Sequence, residues 1–304
     1  MEPHERAIPG PPVRPAAPVA PRYDPLVSTL RVALVQLAAD QDVAANVERA
    51  VALVKRAGER RPHLVALPEM FLYRGPAAGM REYATELPGP LTEPFAELAR
   101  SLDTWILLGS LAERSADPAR PYNTSVLLDP AGQMCVRYRK RHLFDVSIDN
   151  GPSDRESART MPGHDTVVAV MQGVAQESDV RIGLSICFDL RFPELYREMA
   201  AAGAVLIAVP ANFTEATGRD HWEVLLRARA IENGAFVIAP AQCGVGGGVP
   251  THGRTMVVDP WGIVIAQAPD GPGVVVADLE MERVVQVRRQ LPTQPQAEGQ
   301  GQRS

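Results

Sequence analysis

Three apolar runs in this chain stop at a reactive side chain. The run Ile182-Gly183-Leu184-Ser185-Ile186 ends on Cys187, and Asp189, Arg191, Pro193 and Glu194 follow with the marks of a helix start. A thiol there sits at the carboxyl edge of a sheet, where α/β folds place ligand crevices. The positive end of the next helix would favour its thiolate. A buried, inert cysteine shows the same pattern. Leu67-Pro68-Glu69 sets a carboxylate at a strand rim, because proline cannot continue a central ladder; a solvated loop glutamate is the alternative. In Tyr138-Arg139-Lys140-Arg141-His142, alternation puts Lys140 on the face of Tyr138 and His142. Lys140 then points inward while Arg139 and Arg141 face solvent, unless the whole basic run is solvated.

Together these residues form a coherent acyl-transfer set. Glu69 takes the thiol proton and later protonates a leaving amine. Lys140 stabilises the oxyanion, and the Phe188 backbone N–H, just past the nucleophile, is the second donor. No histidine is required. The six histidines nevertheless raise a Cys–His hydrolase as an enzyme rival. His142 is its nearest candidate, although a place on the Lys140 face suits a brace better. Cys135 inside a strand and Cys243 before Gly244-Val245-Gly246-Gly247-Gly248 read as structural thiols.

The elements that must hold this set alternate between strands and helices. Strands are expected at 30–37, 64–67, 105–109, 125–128, 134–138, 205–209, 235–239, 254–258, 263–266 and 274–277. Apolar residues at helical spacing (Val43, Val47, Val51, Val54) predict a helix over 40–60, with others at 92–101, 193–202 and 221–233. Turns at Asp129-Pro130-Ala131-Gly132 and Asp259-Pro260-Trp261-Gly262 imply antiparallel pairs. The class is α/β with helices covering the sheets. The Pro-rich stretch 1–28 and the Gln-rich stretch 292–304 read as extended tails around a single domain at 29–291.

With 304 residues, 45% of them hydrophobic, the chain has enough for a large core. A net charge of -5 does not suggest a nucleic-acid partner. Three cysteines suit a reducing compartment rather than a disulfide framework. No apolar run approaches a membrane span, and Met1-Glu2-Pro3-His4 lacks a signal-peptide pattern. A cytoplasmic protein is expected. No His/Cys pair has zinc spacing, and no glycine-rich loop opens a helix, so no metal or other cofactor is expected.

Leu67-Pro68-Glu69-Met70-Phe71, Lys140 in its basic run and Ile186-Cys187-Phe188-Asp189 resemble the nitrilase (carbon–nitrogen hydrolase) superfamily in content and order. The resemblance runs from about residue 30 to 291. It implies a four-layer α-β-β-α sandwich, a Glu-Lys-Cys triad and assembly as a homodimer or larger homo-oligomer. It also implies a second glutamate, matched here by Glu156, that orients Lys140 or the substrate amide. Within the superfamily the chain resembles the Nit branch of omega-amidases and deaminated glutathione amidases, through His221-Trp222-Glu223, Ala241-Gln242-Cys243-Gly244 and His252-Gly253-Arg254-Thr255. Two departures stand out. Phe188 replaces the tyrosine common in this branch, and 171–179 looks polar and loop-like.

The resemblance implies hydrolysis of a small carboxylate-bearing amide to acid and ammonia through a thioester. Deaminated glutathione leads; 2-oxoglutaramate-type omega-amides, N-carbamoyl compounds and nitriles follow. A cationic anchor is expected, with Arg191 as candidate and a strut pairing with Asp189 or Glu194 as its alternative. Phe71, Phe188 and Phe213 are candidate walls, and Asn212 and Thr214 candidate polar contacts. The non-enzymatic rival is a scaffold that binds a partner through the Pro-rich tail, which an intact catalytic set argues against.

Overall fold

The computed structural model describes residues 29–147, 153–175 and 178–293. The expected tails lie outside the described residues, apart from Pro292 and Thr293. Among the described residues the elements run β1 (Thr29–Gln36), α1 (Val43–Gly58), β2 (Leu64–Ala66), α2 (Ala77–Glu82), α3 (Glu93–Leu102), β3 (Trp105–Glu113), β4 (Tyr122–Leu128), β5 (Met134–Arg139), β6 (Asp145–Ser147) and β7 (Ser153–Arg155). They continue with β8 (Val167–Ala175), β9 (Ser178–Leu184), α4 (Pro193–Ala201), β10 (Leu206–Ala208), α5 (Glu215–Asn233) and β11 (Phe236–Ala239). The last are β12 (Cys243–Gly246), β13 (Val249–His252), β14 (Met256–Val258), β15 (Val264–Gln267), β16 (Gly273–Glu280) and α6 (Glu282–Gln290).

One sheet has the order β16-β1-β2-β3-β4-β5, the other β15-β14-β11-β10-β9-β8. Three strands at the heart of each run parallel, and the flanking strands are antiparallel. Alternation along β1 builds the layers. Leu30, Val32 and Leu34 share a core with Met171, Ile182 and Leu184 of the facing sheet. Ala33 and Val35 instead join Ala50 and Val54 of α1 and Phe95 and Ala99 of α3. On the far side, Tyr196 and Met199 of α4 and Trp222 and Leu226 of α5 close the second sheet. The result is the expected α-β-β-α sandwich. Helix α1 starts at Val43, three residues after the expected 40, because the Asp42 side chain accepts from the Ala45 N–H at 3.0 Å, a cap typically contributing about 1 kcal/mol.

Three expectations change. Most of the polar stretch 171–179 pairs, forming parts of β8 and β9, rather than looping. Met171 and Val174 both face the core although they are three apart, because a register shift beside Gly173 (φ +66°) breaks the alternation. Helix α5 begins at Glu215, a turn and a half before the expected 221. The glycine-rich segment after Cys243 is part of strand β12 and, at Gly247-Gly248, the turn of the β12–β13 hairpin. No described helix is long and apolar enough to cross a membrane.

Candidate active site

Glu69 lies just past β2, which keeps pairing through the Leu67 N–H to the Leu107 carbonyl at 2.9 Å. Gly109 lets this chain pass over β3, since a Cβ there would stand 1.9 Å from the Leu67 oxygen and 2.3 Å from that of Pro68. Met70 then turns the backbone away at φ +52°, its N–H held by Ser110 Oγ at 3.0 Å. Lys140 follows β5 directly. Its N–H bonds the Asn123 carbonyl at 2.9 Å and its carbonyl accepts from the Gly163 N–H at 2.8 Å. Glu156 opens a single 3-10 turn, Glu156–Ala158.

Cys187 extends the β9 ladder past its end: the Ser185 N–H bonds Ala208 O at 3.1 Å and the Cys187 N–H bonds Pro210 O at 2.9 Å. The chain then kinks at Cys187 itself, φ +48°, into a 3-10 turn, Cys187–Arg191. Left-handed backbone at a non-glycine residue is sterically costly, and it concentrates at functional sites.

The charged side chains converge. Lys140 Nζ donates to Glu69 Oε1 at 3.0 Å and to Glu156 Oε2 at 2.9 Å. Asn123 Nδ2 bridges the same carboxylates, at 2.9 Å from Glu69 Oε1 and 3.4 Å from Glu156 Oε1. The Asn212 N–H holds Glu69 Oε2 at 2.8 Å, and the Phe144 N–H holds Glu156 Oε2 at 2.7 Å. The Lys140 and Glu69 side chains are each only 3% exposed, so these bonds work in a low-dielectric setting. Burial opposes the charge on Lys140, but Glu156 and then Glu69 outweigh it and hold its pKa well above the ordinary lysine value. Burial and the neighbouring Glu69 push the Cys187 thiol well up, against the opposing pull of Lys140. Burial and Glu69 thus work against the helix-stabilised thiolate that the sequence suggested.

Glu69, Lys140, Glu156 and Cys187 line a cleft together with Phe144, Phe188, Asn212, Phe213 and Thr214. Phe71 does not line it. Fully buried, it packs edge-on against Phe95 (centroids 5.2 Å apart) in the core beneath α3. Arg191 pairs with neither Asp189 nor Glu194. It is not among the residues that line the cleft and lies over the rings of Phe188 (5.8 Å) and Phe213 (5.2 Å), with Nη1 3.2 Å from His221 Nδ1. Thr214 bonds Thr217 through their hydroxyls at 3.0 Å at the start of α5. Arg139 and Arg141 are ion-paired with Glu113 and Glu198 rather than freely solvated. Cys243 is buried as expected, whereas Cys135 is on the exposed face of β5. His142 Nδ1 lies 2.7 Å from Asp189 Oδ1, and its ring stacks on Phe192 at 3.7 Å. It is a brace, and the Cys–His arrangement is not assembled around it.

Sequence reasoning missed several contributors. Asn123 bridges the carboxylates, Gln242 Nε2 holds the Glu69 carbonyl at 3.0 Å, and Arg74 and Arg159 line the cleft. Arg159 is neutralised by Asp154, and burial lowers the pKa of Arg74 to about 10. A polar residue inside or just after a strand carries no local signal of such roles. Among the described residues no cluster of His, Cys, Asp and Glu could hold a metal ion.

The carbon–nitrogen hydrolase family model matches residues 31–289. Over 264 residues the chain is 40% identical to the deaminated glutathione amidase of Synechocystis sp., covering 86% of this chain and 95% of that one. The crystal structure of the C. elegans NitFhit protein superposes with a TM-score of 0.79 at 35% identity, covering 88% of this chain and 64% of that one. A variant of an amidase from Nesterenkonia sp., with acrylamide added at its active-site cysteine, superposes with a TM-score of 0.71 at 27% identity, covering 86% and 98%. This chain belongs to the carbon–nitrogen hydrolase family, the nitrilase superfamily, and is an amidohydrolase.

Proposed function

We propose that the chain hydrolyses a small carboxylate-bearing linear amide, deaminated glutathione foremost, through a Cys187 thioester. One observation carries this reading: Glu69 and Lys140 are bonded to each other at 3.0 Å beside a buried thiol in one cleft. Glu69 takes the Cys187 proton as sulfur attacks the amide carbon, and the carbonyl π electrons move onto oxygen. Lys140 and the Phe188 N–H meet that oxyanion. Phe188 is free for this role, because the 3-10 turn is first closed one residue later, by the Asp189 N–H to Ile186 O at 3.0 Å. The C–N bond breaks, and the proton on Glu69 goes to the leaving amine. Water then gives a proton to Glu69 and attacks the thioester carbon. The C–S bond breaks, and Glu69 returns the proton to sulfur.

For deaminated glutathione the leaving group is the amine of a dipeptide; primary amides, N-carbamoyl compounds and nitriles release ammonia instead. Asn212 Oδ1, a buried acceptor without a partner among the described residues, suits the departing N–H. Arg191 suits the substrate carboxylate, since no carboxylate of the described residues pairs with it and both rings it covers line the cleft. The relative's name supports deaminated glutathione over omega-amides, carbamoyl compounds and nitriles. Free thiols suit a reducing, cytoplasmic setting. Exposed Val224 and Ile231 on α5 suit association into a homodimer or larger assembly, which light scattering would measure.

The test is a panel of deaminated glutathione, 2-oxoglutaramate, an N-carbamoyl amino acid and a nitrile, read by amine or ammonia release. Deaminated glutathione should turn over fastest, with Cys187→Ala inert. Turnover of a nitrile with every amide inert would overturn the reading. So would near-normal activity in Glu69→Gln and Lys140→Ala when a His→Ala variant is dead.

A further inference from the structure

Asp189 takes no part in the proposed chemistry, yet it is completely buried, and among the described residues its side-chain hydrogen bonds all fall on the two segments that carry the chemistry. Oδ2 accepts from the Ile186 N–H at 2.9 Å and from the Tyr138 hydroxyl at 2.7 Å. Oδ1 accepts from the His142 N–H at 3.0 Å and lies 2.7 Å from His142 Nδ1, a separation that calls for the Nδ1–H tautomer. Ile186 is the residue before the nucleophile. Tyr138 and His142 are the residues two before and two after Lys140. A single carboxylate thus grips the backbone one residue before Cys187 and both flanks of Lys140, across the gap between the two sheets.

The surroundings leave this grip little freedom. Tyr138 is fully buried, and its hydroxyl oxygen also accepts from the Arg141 N–H at 3.3 Å. The His142 ring is fixed by its stack on Phe192, from the same turn region as Asp189. The φ of +48° at Cys187 needs restraint on both sides, and its own N–H to Pro210 O supplies one. The bond from the Ile186 N–H to Asp189 supplies the other.

We propose that Asp189 is the positioning residue that sets the register between Cys187 and Lys140, so that sulfur and ammonium face one carbonyl group. The proposal rests on the Cys187–Lys140 reading of the site. An asparagine has the same shape but offers one acceptor oxygen where four donors now share two. Its NH2 group would face N–H or O–H donors, and one side of the clamp must open.

The experiment compares wild type with Asp189→Asn and Tyr138→Phe in three measurements on the full chain. These are kcat and KM for the best amide, the pH dependence of Cys187 alkylation by iodoacetamide, and the thermal midpoint. A displacement near 1 Å at a reacting group costs about 100-fold. Asp189→Asn should therefore lose about 100-fold in kcat with KM within threefold, and its alkylation profile should shift along the pH axis. Tyr138→Phe removes one bond of the four and should lose about 5- to 10-fold in kcat, with a smaller shift. It also carries the test if Asp189→Asn does not fold. A folded Asp189→Asn with kcat within twofold and an unshifted profile would overturn the proposal. So would a loss of kcat equal to the fraction of protein that the thermal melt shows unfolded at the assay temperature, since that reports unfolding rather than misplacement. If the amide reading itself is wrong, wild type releases nothing from any amide, while the alkylation profiles still separate the variants.

Discussion

Replacing Glu156 with glutamine isolates what the second carboxylate does. The side chain keeps its shape, and its remaining oxygen can still accept the Phe144 N–H now 2.7 Å from Oε2. What disappears is one of two negative charges around a fully buried ammonium, across a 2.9 Å contact. A hydrogen bond to a charged group contributes about 1.5–3 kcal/mol, which converts to about 10- to 150-fold if that bond acts in the transition state. Glu156→Gln should therefore lower kcat by a factor in that range, through two effects of one sign. Lys140 is held less firmly for the oxyanion, and Glu69, now its sole anionic partner, is drawn toward the ammonium and away from the thiol. The pH profile provides the independent check. Glu156 is the strongest influence raising the Lys140 pKa; without it that pKa falls, and the alkaline limb of kcat moves to lower pH. Steady-state product release between pH 6 and 11 measures both. A kcat within twofold of wild type and an unmoved alkaline limb would return Glu156 to the status of a loop carboxylate.

Arg191→Met should raise KM for a carboxylate-bearing amide at least tenfold and leave a neutral primary amide of similar length within threefold; equal losses on both make Arg191 a strut for Phe188 and Phe213. At Gly246 a Cβ would come within 2.5 Å of Arg74 Cζ and 2.9 Å of the Ala39 oxygen, so Gly246→Ala should cost about 1–3 kcal/mol in denaturant unfolding, and an unchanged midpoint would show that the hairpin yields. Burial opposes ionisation of Glu113, but hydrogen bonds from Arg139 and Thr124 and the charges of Arg139 and Arg137 outweigh it and lower its pKa. Its stabilisation is thus present above the unfolded pKa, about 4.3, and fades as pH falls through the lower folded value. Glu113→Gln should melt well below wild type at pH 7, with the gap closing toward pH 3; a gap constant with pH would contradict this.

Much of the site was legible because strand period and strand ends are local properties. Alternation put Lys140 on the Tyr138 side, and the proline after Leu67 placed Glu69 at a rim. The cysteine's place at a sheet edge also held. Its protonation state did not follow, since burial and the approach of Glu69 are tertiary facts that no window around Cys187 contains. Phe71 failed as a wall residue for a related reason. An aromatic two residues past a strand-end carboxylate can face either side of the sheet, and the φ of +52° at Met70 turned it to the helix side. Asn123 and Asp189 were invisible because each is defined by partners from two or three separated segments. The β8–β9 hairpin was lost to a bulge that shifts the apolar spacing from two to three.

The two halves of the proposed catalytic set belong to different sheets. Glu69 and Lys140 leave the sheet that contains β2 and β5, and Cys187 leaves the one that contains β9. Neither half holds both a nucleophile and its base, so a chain with either sheet formed alone is chemically silent. Activity regained during refolding consequently times the docking of one sheet on the other. Circular dichroism, which senses the strands themselves, would recover earlier, and the interval between the two signals measures how late the sandwich closes.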